Sequence, residues 1–279
     1  MRSPRTSGGL SLSEARRRSP SVLVVALSSA LALACFASAP ALTASAQPSL
    51  AVTSNLDFPK LAGSNAVCAS TAPGNPCTLR AAIETVNAGF DPGAEITLPA
   101  SAFVLTLNPV RRPLDATASM SIIGHGAGQS VIDGNRQTGV LHVEAAATVT
   151  VTGLSILHGE GFYGGGIFSG GTLTLNGVTV AFNHAVHGGG IATFGAGLTM
   201  RGGSVTSNVA IVFGGGMLTA GPAAITATTV SSNQSAGGGG IASFGGTLAL
   251  TGVTPARNHG AAAGRYPLIR SPEPPTICR

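Results

Sequence analysis

No tryptophan occurs among the 279 residues, only 2 are tyrosine, and 9% carry a charge. With 44% hydrophobic residues, so little charge excludes a solvated disordered chain, which needs the reverse balance. A helical bundle is excluded on other grounds. Glycine occupies 40 positions, and inside a helix each costs about 1 kcal/mol relative to alanine. Nor does the formal charge of +5 mark a basic protein. Arg2, Arg5, Arg16, Arg17 and Arg18, opposed by Glu14 alone, supply most of it, leaving ten basic and nine acidic residues from Gln47 onward. A nucleic-acid partner would need a basic stripe that this distribution lacks. The 4 cysteines have no adjacent histidine or third thiol at zinc spacing, so neither a metal nor a cofactor is expected.

What is present begins with a leader. Positive charge ending at Arg18 runs into apolar Val22-Leu-Val-Val-Ala-Leu27 and Ala30-Leu-Ala-Leu-Ala34, then into Ala44-Ser45-Ala46 before Gln47. That order is a secretory signal, so residues 1–46 are expected to be removed and the product exported to the cell surface, outer membrane or medium. No later segment approaches the ~20 apolar residues of a membrane helix. Once Cys35 leaves with the leader, Cys68 and Cys77 flank a turn-rich segment and are expected to form a disulfide in an oxidising compartment, with Cys278 unpartnered.

Directly after Cys77, the run Thr78-Leu-Arg-Ala-Ala-Ile-Glu-Thr-Val-Asn-Ala-Gly89 reads as a short helix. Thr78 is its N-cap, Leu79, Ala82, Ile83 and Val86 share one face, and Gly89 supplies the left-handed stop. Beyond it the chain repeats. Leu173–Asn183, Leu198–Asn208, Ala223–Asn233 and Leu248–Asn258 align at a constant offset of 25 residues, and Val149–Gly159 joins them at 24. Between the blocks stand Gly164-Gly-Gly-Ile167, Gly188-Gly-Gly-Ile191, Gly214-Gly-Gly-Met217 and Gly238-Gly-Gly-Gly-Ile241. Propeller blades need ~40–45 residues, and leucine-rich repeats need a leucine frame that Ala223-Ala-Ile-Thr lacks. The pattern predicts an all-β parallel β-helix, one circuit per repeat, with circuits stacked ~4.8 Å apart.

Stacking turns the repeat into columns. Leu173, Leu198, Ala223 and Leu248 make one, Leu175, Met200, Ile225 and Leu250 a second, and Val180, Val205, Val230 and Pro255 a third. Alternation points these inward and Thr174, Thr179 and Thr199 outward. Each buried side chain contributes ~1.5–3 kcal/mol, which lets repetition hold a chain with so few charges. Asn183, Asn208, Asn233 and Asn258 form a fourth column, read as structural: stacked amides, or left-handed turn positions. The expected organisation is a leader (1–46), a cap with disulfide loop and helix (47–99), the β-helix (100–260) and an irregular tail (261–279). That tail is read as a natural stop or as a truncated or frame-shifted end.

Cys77-Thr-Leu-Arg-Ala-Ala-Ile83, followed by Asn87 and Ile96-Thr-Leu-Pro99, resembles the CSLREA motif that opens many exported bacterial β-helix proteins. The glycine–apolar repeats resemble those of chlamydial-type polymorphic outer-membrane proteins. The resemblance implies a right-handed β-helix, secreted or displayed, with a surface or adhesive role. Ala81 stands where the motif usually has Glu, which removes one half of a capping box. Residues 261–279 do not read as the membrane barrel of such proteins, so autotransport by this chain is not expected.

Chemistry is thinly supplied. From residue 116 to 272 the acids are Asp133, Glu144 and Glu160. Stepping back one circuit from His184 reaches Glu160, and from His187 reaches Tyr163, so stacking brings a carboxylate beside a histidine, with His158 close by. These are weak catalytic candidates. The next circuit holds Ala210 and Phe213 in place of the two histidines, and Asp133 with Arg136 reads as a turn with a local ion pair. The function expected is a non-enzymatic exported scaffold that binds a surface glycan or protein. The alternative is a carbohydrate-active β-helix enzyme, a polysaccharide lyase or glycoside hydrolase.

Overall fold

A computed structural model describes residues 48–64 and 67–260; the leader, Cys35, the tail and Cys278 lie outside the described residues. The chain winds as a parallel β-solenoid of about seven turns with about 25 residues per turn. One circuit shows the plan: Thr172–Asn176 on a first face, Thr179–Ala181 on a second, His184–His187 on a third and Ile191–Thr193 on a fourth. The next circuit starts at Gly197–Arg201 and pairs in parallel on top of the first. Among the described residues eight strands stack on the first face, seven on the second, five on the third and six on the fourth. The third face begins only at Glu160–Tyr163. Earlier circuits pass from the second face to the fourth directly, as from Phe103–Thr106 to Leu114–Ala116.

The inward columns follow the register read from the repeat. Leu173 pairs with Leu198, Leu198 with Ala223 and Ala223 with Leu248. Val180, Val205, Val230 and Pro255 likewise lie over one another. Leu173, Leu175, Val180, Val205, Met200 and Ile225 are fully buried. The four-sided cross-section needs sharp corners. One corner column has φ of 50–57° at His158, Phe182, Ser207, Ser232 and Arg257, a left-handed conformation that disfavours any side chain with a Cβ by ~1–2 kcal/mol.

The next residue along at each corner offsets that cost. Nδ2 of Asn208 donates to Val180 O in the circuit before (2.9 Å) and to Asn233 Oδ1 in the circuit after (3.0 Å). Its Oδ1 accepts from the backbone N–H and the Nδ2 of Asn183 (3.0 and 2.9 Å). Asn233 repeats the pattern onto Asn258, and Gly159 N–H donates to Asn183 Oδ1 to begin the ladder. Every polar atom of the buried amides is used, which meets the demand that buried polar groups be paired.

The glycine triplets follow from the same ladder. Gly188 holds φ of +63°. A Cβ on Gly189 would collide with the carbonyl oxygens of Val209 and Gly215, and one on Gly190 would press on the Asn208 amide at 3.0 Å.

At the N-terminal end Ser49–Ala51 pairs with Glu95–Thr97 as the first rungs of the first face. Between them lie the Cys68–Cys77 disulfide and the helix Leu79–Asn87. The Thr78 hydroxyl accepts from Ala81 N–H at 3.1 Å, so the cap forms without its reciprocal glutamate. Arg80, which shares the buried side of the helix, forks onto Asp57 (2.6 and 3.2 Å) and donates to the carbonyls of Arg112 and Pro113. Asn87 completes the tie: its Nδ2 donates to Asp115 O, and its Oδ1 accepts from Thr117 and Ala118. Among the described residues no helix is long and apolar enough to cross a membrane.

Candidate functional site

The stacking that builds the core also gathers side chains at one corner. Glu160 lies under His184 and Tyr163 under His187 in the third-face ladder. Nδ1 of His184 is 2.7 Å from Glu160 Oε1, and the His187 ring stacks on Tyr163 with centroids 5.3 Å apart. The structure thus brings together four residues the repeat offset placed on one edge. His158 is elsewhere engaged: its Nδ1 meets Asp133 Oδ2 at 2.9 Å and its ring stacks on Phe182.

Two sequence readings need correction. Asp133 pairs with His158 rather than Arg136, and its other oxygen accepts from Asn135 N–H. At the 25-residue offset Val209, not Ala210, lies over His184, and a shift of register between Ala185 and His187 places Phe213 over His187.

The sharp glycine turn has a further effect. Tyr163, His187 and Phe213 end third-face strands just before their triplets, while Phe168, Phe194 and Phe244 follow them on or beyond the fourth face. Folding back at the glycines puts both sets side by side. Tyr163 meets Phe194 edge-on at 4.8 Å, His187 stacks on Phe213 at 5.8 Å, and Phe213 meets Phe244 at 4.9 Å. The result is a seam of rings along the solenoid. It is open to solvent, with Phe162 60%, Phe244 50% and Phe194 44% exposed. Sequence reasoning missed it, although an aromatic ring immediately before successive glycine triplets was a readable signal.

A cavity of about 390 Å³ opens where the third face begins, lined by residues that include Pro113, Gln137, His142, Glu160, Phe162 and Tyr163. His142 was not a sequence candidate. Its Nδ1 meets Asp115 Oδ1 at 3.0 Å, its Nε2 lies 3.8 Å from Glu144, and its ring packs against Phe168. The hydrogen bond to Asp115, helped by the negative charges of Asp115 and Glu144 and opposed by partial burial, raises the imidazole above its usual value. Among the described residues no three His, Cys, Asp or Glu side chains gather as a metal site. Compared with family models, curated proteins and solved structures, the chain matches none.

Proposed function

We propose that the chain is an exported β-helix scaffold that binds a glycan at the aromatic seam without chemically altering it. The observation that carries this reading is the row of rings on successive circuits, with Tyr163 and Phe244 exposed and His187 and Phe213 half-buried between them. A pyranose presents an apolar C–H face that packs on an aromatic ring, and hydroxyls that a few placed polar groups can satisfy. A rigid solenoid supplies such rings at fixed spacing and low entropic cost, since aromatic side chains have few rotamers to lose. The opening motif at Cys77–Ile83 and the glycine repeats support placing the chain among CSLREA-type exported surface proteins, with adhesion as its role.

One observation favours a second reading. Glu160 is hydrogen-bonded to His184 beside a cavity near Asp115 and Glu144, and glycoside hydrolysis uses a pair of carboxylates. Incubation with neutral and acidic polysaccharides, with and without Ca²⁺, separates the two. Retention on a polysaccharide with no new chain ends, lost on Tyr163→Ala with Phe194→Ala, supports the scaffold. Depolymerisation abolished by Glu160→Gln establishes the enzyme instead, and binding to no saccharide overturns both.

A further inference from the structure

We infer that the cavity at the start of the third face is an end-on subsite for one neutral pyranose, which anchors the terminus of the glycan held by the seam. This inference rests on the glycan-binding reading and adds the class and position of the sugar.

The step in the solenoid makes the site. Among the described residues Glu160–Tyr163 is the first rung of the third face, with no third-face strand below it. The circuit below instead closes the space with Gln137, Thr138 and Gly139, and Thr138 O accepts from Glu160 N–H at 3.0 Å. Pro113 bounds the same side. Above Tyr163 the seam's rings continue to His187, Phe213 and Phe244, and below it they pass through Phe168 to His142, which lines the cavity. A glycan lying along them ends in the cavity, whose volume suits a small ligand.

The lining specifies the sugar. Tyr163 is flanked by rings: His187 and Phe168 stack on it and Phe194 meets it edge-on. Phe162, which meets Tyr163 at 82° and is 60% exposed, is the ring left open as a platform. Glu160 uses Oε1 for His184. Its second carboxylate oxygen has acceptor capacity for a sugar hydroxyl. Charge decides against acidic sugars: Glu160 lines the cavity, Asp115 and Glu144 stand behind His142 in its wall, and like charges repel a uronate. His142, held by Asp115, faces the same space with its ring fixed.

The test is calorimetric titration of the purified exported protein. The probes are methyl glycosides of glucose, galactose, mannose and N-acetylglucosamine, the matching uronic acids, and hexasaccharides from the polysaccharide that the chain retains. At least one neutral methyl glycoside is expected to bind, with its uronate weaker by about tenfold or more. Phe162→Ala and Glu160→Gln each weaken the neutral sugar by about tenfold, and Glu160→Gln also narrows the gap to the uronate. Phe244→Ala leaves the monosaccharide untouched and weakens the hexasaccharide. Phe162 and Glu160 are both exposed, and thermal melting of each variant checks that it folds. Hexasaccharide binding without monosaccharide binding, or equal affinity for the uronate, overturns the subsite and leaves the seam intact. No binding of any saccharide overturns the seam as well.

Discussion

The side-chain nitrogen of Asn183 donates to Oδ1 of Asn208 at 2.9 Å, and the backbone N–H of Asn183 reaches the same oxygen at 3.0 Å. One amide therefore satisfies two donors of the circuit before it. Asn208→Ala leaves the Asn183 backbone N–H and one of its two Nδ2 hydrogens unpaired, the other keeping Ile156 O, and takes a donor from the Val180 carbonyl in a site fully removed from solvent. At ~1–3 kcal/mol for each buried unpaired group, the loss should reach about 3 kcal/mol or more. Asn258→Ala, at a half-buried rung, should cost less. Denaturant unfolding of the two variants checks the order, and equal losses would refute the role given to burial.

Glycine substitutions should divide sharply by position. Gly189→Ala places a methyl group against two carbonyl oxygens of the next circuit, so it should destabilise by at least the ~1–3 kcal/mol of overpacking. Gly177 also has positive φ, but nothing lies within 4 Å of a Cβ there. Gly177→Ala should cost only the ~1–2 kcal/mol of a left-handed residue. Chemical denaturation compares them.

Stability should fall with pH through the titration of His142. Its folded pKa lies above the reference value of 6.5, raised by the hydrogen bond to Asp115 and by the charges of Asp115 and Glu144. The contribution is therefore complete below pH 6.5 and is lost as pH rises through the raised folded value. Tm measured from about pH 5 to pH 8 should decline more steeply for the wild type than for Asp115→Asn. Parallel curves would exclude this pair as a source of pH dependence.

Arg80 ties the capping helix to the first circuits. Arg80→Ala strands the Asp57 carboxylate, which is 2% exposed, and removes donors from Arg112 O and Pro113 O. Breaking a buried pair on one side costs ~3–5 kcal/mol. Arg80→Lys should rescue little, because an ammonium does not reproduce the fork onto both carboxylate oxygens. Hydrogen exchange should show the loss concentrated in residues 57–60 and 112–116.

The sequence disclosed most where spacing is constant. Leu173, Leu198 and Ala223 recur at one interval of 25 because the core admits one kind of residue there, and Glu160 with His184 follows the offset of 24 at which Val149–Gly159 joins the repeat. Where circuits vary in length the rule fails. Asp115 and His142 are separated by 27 residues and Asp57 and Arg80 by 23, so no fixed offset joins them. The seam was hidden for another reason: Tyr163 and Phe168 become neighbours only once the glycine turn closes. The register shift between Ala185 and His187 also adds one residue to the interval, so Phe213 rather than Val212 lies over His187.

The amides of the ladder all face one direction, with oxygens toward the earlier circuit and one N–H toward the later. A polar row of this kind has a head and a tail, as a zipper does. Residues 184–208 copied in tandem would meet a waiting donor on one side and a waiting acceptor on the other. The rod would lengthen by ~4.8 Å without reversing a single bond. Its length is thus a quantity that gene duplication can dial in whole increments, while the capped end stays as it is.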